Sequence, residues 1–156
     1  MIDKQPTRLL TLLRFALAWI FIYSSVSKIL QGNWSAEGFL SHATTFPDLF
    51  AFFAQPENIA IVNILNIYGQ LLLGLSLLFG VFLPLAAIAG SFLMLLYYLP
   101  VLHFPYAGEG TTSFLIDQHI LIILILFLLW KTDAGKYVGL KNRLEKMLPK
   151  SLKKYN

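Results

Sequence analysis

The chain has 156 residues, no cysteine, 57% hydrophobic and only 13% charged residues, with a mean hydropathy of +0.68. Soluble domains carry about 25% charged residues, and half that charge cannot cover a water-soluble globule, which argues against a soluble enzyme, a disordered chain or a secreted disulfide scaffold. The lack of cysteine removes thiol redox chemistry, zinc–thiolate sites and iron–sulfur clusters from this subunit, and the formal net charge of +4 has to be judged from where the charges lie.

A bilayer core about 30 Å thick is crossed by roughly 20 mostly apolar residues. Four segments meet that demand, at about 9–30, 59–83, 85–102 and 113–130, and each must be helical because lipid offers no partners to backbone N–H and C=O groups. The expected fold is an all-α membrane protein. It is a four-transmembrane-helix bundle over 1–135, with an outer interfacial helical segment at 34–56 and a basic amphipathic tail at 136–156. There is no internal repeat.

The first span follows Lys4 and Arg8 and ends near Ser25-Val26-Ser27, which resembles a weak signal-cleavage site. Its apolar stretch exceeds the 7–15 residues or so of a signal h-region, so it reads as a retained helix. It carries Arg14 and Lys28, which at 100° per residue fall within about 40° of each other and roughly 21 Å apart along the axis. Each cation either snorkels to headgroups or has a partner inside the bundle. In the connection that follows, Phe39, Ala43, Phe46, Phe50 and Phe53 recur at helical spacing, with Trp34 nearby and Pro47 breaking the run. This reads as one or two short helices, either anchoring in the outer interface or lying as a lid over a site between the spans.

The second span carries Asn63, Asn66 and Gln70 at i, i+3, i+7, one helix face. Such amides either bond neighbouring helices or wall a polar site. Pro84 then separates the second span from the third with almost no loop, which forces an antiparallel hairpin. The third span offers Ala86 and Gly90 as a close-packing face and ends with Tyr97, Tyr98 and His103, where tyrosines fit an aromatic belt. The fourth begins with Asp117 and His119. At about 200° apart these cannot both face the bundle centre, and Asp117 is expected to pair with Lys28 at similar depth. His119 reads either as a hydrogen-bonded core residue or as one pointing to a neighbouring helix, the lid or a partner subunit.

Basic residues gather before the first span and after the fourth, whereas 31–58 and 103–112 hold no Lys or Arg but contain Glu37, Asp48, Glu57 and Glu109. By the positive-inside rule both termini are cytoplasmic in a prokaryotic cell membrane. The tail, with Leu140, Leu144, Met147, Leu148 and Leu152 among its basic residues, then rests on the anionic inner leaflet, and no nucleic-acid partner is needed to explain the charge. The outer half collects Lys28, Asn63, Asn66, Gln70, Tyr97, Tyr98, His103, Asp117 and His119. Ionisable groups clustered within a membrane mark a functional site by default.

Leu13-Arg14-Phe15, Ala18-Trp19-Ile20-Phe21 and Ser25-Val26-Ser27-Lys28 resemble the opening of DoxX-type membrane proteins, and most of all their DoxD branch, the small subunit of thiosulfate:quinone oxidoreductase. Tyr68-Gly69-Gln70 with Gly74 and Gly80, the segment around Asp117 and His119, and Ala134-Gly135-Lys136-Tyr137-Val138-Gly139-Leu140 extend the resemblance over about 8–141. Ser25 stands where the family tends to have glycine and Gln70 where it often has glutamate. The resemblance implies a membrane subunit that passes electrons from a sulfur substrate or a partner subunit to membrane quinone. Lys28, Asp117 and His119 are then candidate catalytic groups, while Arg14, Asn63, Asn66, Gln70, Tyr97, Tyr98 and His103 are candidate binding groups. No resident cofactor and no metal site is evident in the chain, so quinone would be a substrate and a partner subunit or homo-oligomer is expected. Two other classes fit the same residues: a non-catalytic membrane anchor or assembly module, and a small transporter or lipid-binding protein.

Overall fold

The computed structural model describes residues 4–102 and 115–141, and every regular element among them is helical. The order is α1 (Lys4–Gln31), α2 (Glu37–Ser41), α3 (Pro47–Ala54), α4 (Pro56–Phe79), α5 (Leu83–Val101) and α6 (Gln118–Lys131), followed by a 3-10 turn at Ala134–Lys136. His103, Glu109 and the tail beyond 141, on which several sequence expectations fall, lie outside the described residues.

Three helices, α1, α4 and α5, are long and apolar enough to cross a membrane. The fourth apolar helix, α6, has 14 residues and rises only about 21 Å. It starts later than the 113–130 reading because Leu115, Ile116 and Asp117 are not helical. Asp117 is instead the cap of α6, its side chain accepting from the backbone N–H groups of His119 and Ile120.

The α4–α5 hairpin is turned by Gly80 rather than by Pro84. Gly80 adopts φ +67°, its N–H donates to Leu77 and that of Val81 to Ser76, the bonding pattern of a Schellman stop. Pro84 sits inside the first turn of α5, where a missing N–H costs nothing.

The helices pair as α1 on α4 and α5 on α6, around a core that includes Leu17, Phe21, Leu77, Met94, Leu126 and Leu129. Backbones approach closely at Gly74, where an added Cβ would lie 2.9 Å from the Ile22 nitrogen and 3.1 Å from the Ala18 oxygen. Ser25, fully buried, donates to the Ile67 carbonyl across the same seam at 2.8 Å. The Ala86–Gly90 face of α5 packs as its spacing suggests: a Cβ at Gly90 would meet Leu126 of α6 and Leu73 of α4. Leu12, Trp19, Leu30, Leu72, Phe92 and Leu124 are exposed on the outer faces of the helices, as suits lipid contact.

A second, smaller cluster built on Ala36, Leu40 and Phe50 seats α2 and α3 against Ile59 and Val62 of α4 and Leu99 of α5. Thr44 ties this segment down, its N–H and hydroxyl both donating to the Pro100 carbonyl at 2.9 Å. At the opposite end, the chain after α6 folds back onto the hairpin. The Leu140 N–H donates to the Phe79 carbonyl at 2.8 Å. Asp133 accepts from Lys136 at 2.5 Å and from Lys141 at 2.7 Å. Burial alone would push the Asp133 carboxyl up, but the bonds and charges of the two lysines outweigh it and hold the carboxyl below the usual range.

Two predictions follow from this docked segment. A Cβ at Gly135 would overlap the Gly80 carbonyl, a backbone atom that cannot swing away. Gly135→Ala should therefore cost about 1–3 kcal/mol, read as a lower melting temperature in detergent, with an unchanged midpoint contradicting the packing. Asp133 is lowered on folding, so its contribution is complete above the ordinary carboxyl pKa of about 4 and fades as pH falls through the lower folded value. The stability gap between wild type and Asp133→Asn should accordingly be constant near neutrality and close in acid.

Candidate functional site

The Lys28 end of the bundle holds a compact polar cluster. Lys28 lies in the last turn of α1, and its ammonium donates to Asn66 Oδ1 at 2.6 Å, Gln70 Oε1 at 2.8 Å and Tyr97 Oη at 3.0 Å. The first two acceptors come from one face of α4 and the third from α5. Tyr97 in turn donates to Asn66 Oδ1 at 2.7 Å and accepts from Gln70 Nε2 at 3.0 Å. Ser24, one turn before Lys28, donates to Gln70 Oε1 at 3.0 Å. The indole of Trp34 covers the ammonium, 4.4 Å from it to the ring centroid, a geometry that favours a desolvated cation. Phe39 from α2 meets the Tyr97 ring edge-on at 5.9 Å.

All three ammonium protons are therefore taken by neutral oxygens. No carboxylate lies within ion-pair distance of Lys28 among the described residues, so the expected Lys28–Asp117 pair is not formed. The reason is local. Asp117 is the cap of α6, and its other oxygen lies 2.6 Å from His119 Nδ1. Its position outside the helix also removes the 200° separation from His119 that a helical reading imposes. The His119 ring stacks obliquely on Tyr97 at 6.1 Å, so the Asp117–His119 pair borders the cluster from α6.

Other candidates lie elsewhere. Asn63 accepts from the Ala36 N–H at 2.9 Å and donates to Ser35 at 3.3 Å, fastening the connection between α1 and α2. The Tyr98 hydroxyl donates to the Leu115 carbonyl at 2.7 Å, fastening the approach to α6. Arg14 sits at the far end of α1, fully buried. It does not snorkel: Nη1 donates to the Leu77 and Leu78 carbonyls at 2.6 and 3.2 Å, and Nη2 to Val138 in the segment after α6. It is thus a clasp between α1, the end of α4 and the returning chain. Sequence reasoning missed Trp34 and Ser24 as members of the Lys28 cluster, although Ser24 lies on the Lys28 stripe of α1.

The family model described as DoxX matches residues 9–103, which contain most of α1, α2 to α5 and all of the Lys28 cluster. The chain belongs to the DoxX family. No curated protein and no solved structure matches it significantly. The neutral amide of Gln70 is what lets one side chain both accept from Lys28 and donate to Tyr97.

The clasp makes a separable prediction. In Arg14→Lys one ammonium cannot bridge the α4 carbonyls and Val138 as the guanidinium fork does, and each hydrogen bond to a charged group that is lost costs about 1.5–3 kcal/mol. Thermal unfolding in detergent should fall accordingly. Because Arg14 is remote from Lys28, any ligand bound at the Lys28 cluster should keep its affinity in the folded variant.

Proposed function

We propose that this DoxX chain is the membrane subunit of a quinone-linked redox complex, and that the Lys28 cluster is where a quinone head group is bound. The chain then sits in a prokaryotic cell membrane with four spans, both termini cytoplasmic, and α2 and α3 in the outer interface. The positive-inside distribution of basic residues supports that orientation. The observation that carries the reading is the Lys28 ammonium, caged by neutral oxygens and an aromatic face with no carboxylate beside it among the described residues.

A preorganised, uncompensated cation in an apolar surrounding stabilises negative charge that develops on a ligand oxygen. Quinone reduction develops such charge. Trp34, Phe39 and Tyr97 supply ring faces and edges of the kind that hold a flat ring. With no cysteine in the chain, the electrons come from a partner subunit or directly from a sulfur substrate.

The competing reading is an assembly module. It is favoured by the completeness of the network: every ammonium proton and the Tyr97 hydroxyl are already satisfied within the bundle. The two separate on one experiment. The chain is isolated in mild detergent with whatever co-purifies, and thiosulfate-driven reduction of a short-chain quinone is followed for wild type, Lys28→Met and Lys28→Gln. Loss of one charge-stabilising donor lowers turnover about 10²–10³-fold at unchanged complex abundance if quinone is bound there. Equal turnover per assembled complex, with only abundance reduced, supports the assembly module instead.

A further inference from the structure

Asp117 and His119 form a unit that the Lys28 cluster does not use. Asp117 Oδ1 accepts two backbone N–H groups, from His119 at 2.9 Å and Ile120 at 3.3 Å, which leaves Oδ2 to face His119 Nδ1 at 2.6 Å. A carboxylate that only accepts places the neutral ring's proton on Nδ1 and leaves Nε2 a bare acceptor. Nε2 has no hydrogen-bond partner among the described residues, and the imidazole is mostly buried, with 18% of its side chain exposed. It lies against Tyr97, the residue that also contacts the Lys28 ammonium.

We infer that His119 Nε2, with its tautomer set by Asp117, is the second pole of the ligand site and makes binding depend on protonation for a carbonyl ligand but not for a hydroxyl ligand. The inference rests on the ligand reading of the Lys28 cluster given above. Lys28 donates to one oxygen of a flat ligand in exchange for one of its internal acceptors. His119 meets the other oxygen across Tyr97. A carbonyl oxygen only accepts, so it needs Nε2–H, which exists when the ring is protonated. A hydroxyl both donates and accepts, so it is served by the bare Nε2 of the neutral ring and by the Nε2–H of the protonated ring alike. Histidine is the side chain that changes charge between about pH 5 and 8. The titratable or charged groups facing it among the described residues are Asp117 from its own segment, Tyr97 from α5 and, through Tyr97, Lys28 from α1.

The test measures binding of decyl-benzoquinone and, anaerobically, its hydroquinone to the full chain in nanodiscs by calorimetry from pH 5 to 7. In wild type the quinone should bind about tenfold more tightly at the acid end, the size of one hydrogen bond to a charged group, and the hydroquinone about equally across the range. His119→Gln, whose amide both donates and accepts, should bind both forms with no pH dependence. Asp117→Asn keeps a good helix cap but turns a donor toward Nδ1. The neutral ring's proton then moves to Nε2, so the quinone should no longer gain from acid, while the hydroquinone stays indifferent to pH.

A quinone profile that rises in acid in wild type and is lost in both variants, with a flat hydroquinone profile, supports the inference. A quinone profile that persists in His119→Gln overturns it, and so does a flat wild-type quinone profile in which Lys28→Met still weakens binding; in the latter case the Lys28 reading stands. Absence of binding by wild type in either redox form overturns both.

Discussion

The constraint on which this structure depends is that α1 carries two cations through an apolar bundle whose described residues offer them no anion. Arg14 is fully buried and Lys28 half-buried, and neither makes an ion pair among the described residues. Both donate to α4: Lys28 to the side-chain oxygens of Asn66 and Gln70, Arg14 to the carbonyls of Leu77 and Leu78. A helix has a polarity that suits this division. Its side chains lean toward its N-terminus, whereas its last carbonyls are unsatisfied and carry the negative end of the dipole. Antiparallel to α1, α4 presents the Asn66 and Gln70 amides at one end and its last-turn carbonyls, the negative end of the dipole, at the other. Between them the close approach at Gly74 and the Ser25–Ile67 bond hold the backbones together. The register of α1 on α4 is pinned at three heights by groups that would each be costly to leave alone.

Everything else attaches to that pair. The Gly80 stop turns α4 into α5, so Tyr97 arrives beside Asn66 and Gln70. Asn63 and Thr44 fasten the α2–α3 segment so that Trp34 covers the ammonium. At the other end Arg14 reaches past α4 to Val138, so the same guanidinium that satisfies α4 also holds the chain returning from α6. Gly135 and Gly139 permit that return, because any side chain there would strike the carbonyls of Gly80 or Phe79.

How much of this was legible in the sequence depends on which physical signal encoded it. Long apolar runs locate α1, α4 and α5 well, since run length is a bulk property. The i, i+3, i+7 amides correctly placed Asn66 and Gln70 on one face with Asn63 a turn away, because helical periodicity needs no tertiary knowledge. Pairing Lys28 with Asp117 failed because it matched depth and opposite charge and ignored a local cue: an Asp just ahead of an apolar run is a helix-start signature. The Arg14 acceptors were invisible because backbone carbonyls have no sequence identity, and only Gly80 hinted that carbonyls end there. Trp34 was missed as a cluster member because its reach to Lys28 depends on the path after Gly32, which turns at φ +70°.

The misplaced ion pair is also the informative one. Had Asp117 closed on Lys28, their charges would have cancelled within the bundle, and the site would have been an inert staple. Asp117 is committed to the α6 cap and to His119 instead, and α4 supplies only neutral acceptors. The chain thereby keeps a full positive charge on one contact of Tyr97 and a carboxylate-backed imidazole on another. Neutral amides satisfy the ammonium's hydrogen-bonding demand without offsetting its field, which is why a Gln at position 70 serves this arrangement where a Glu would neutralise it. Two poles that differ in charge and in proton affinity, set around one phenol and beside aromatic rings, form an asymmetric environment. On the proposed ligand reading, such an environment would distinguish an oxygen that only accepts from one that also donates, which a closed ion pair could not do.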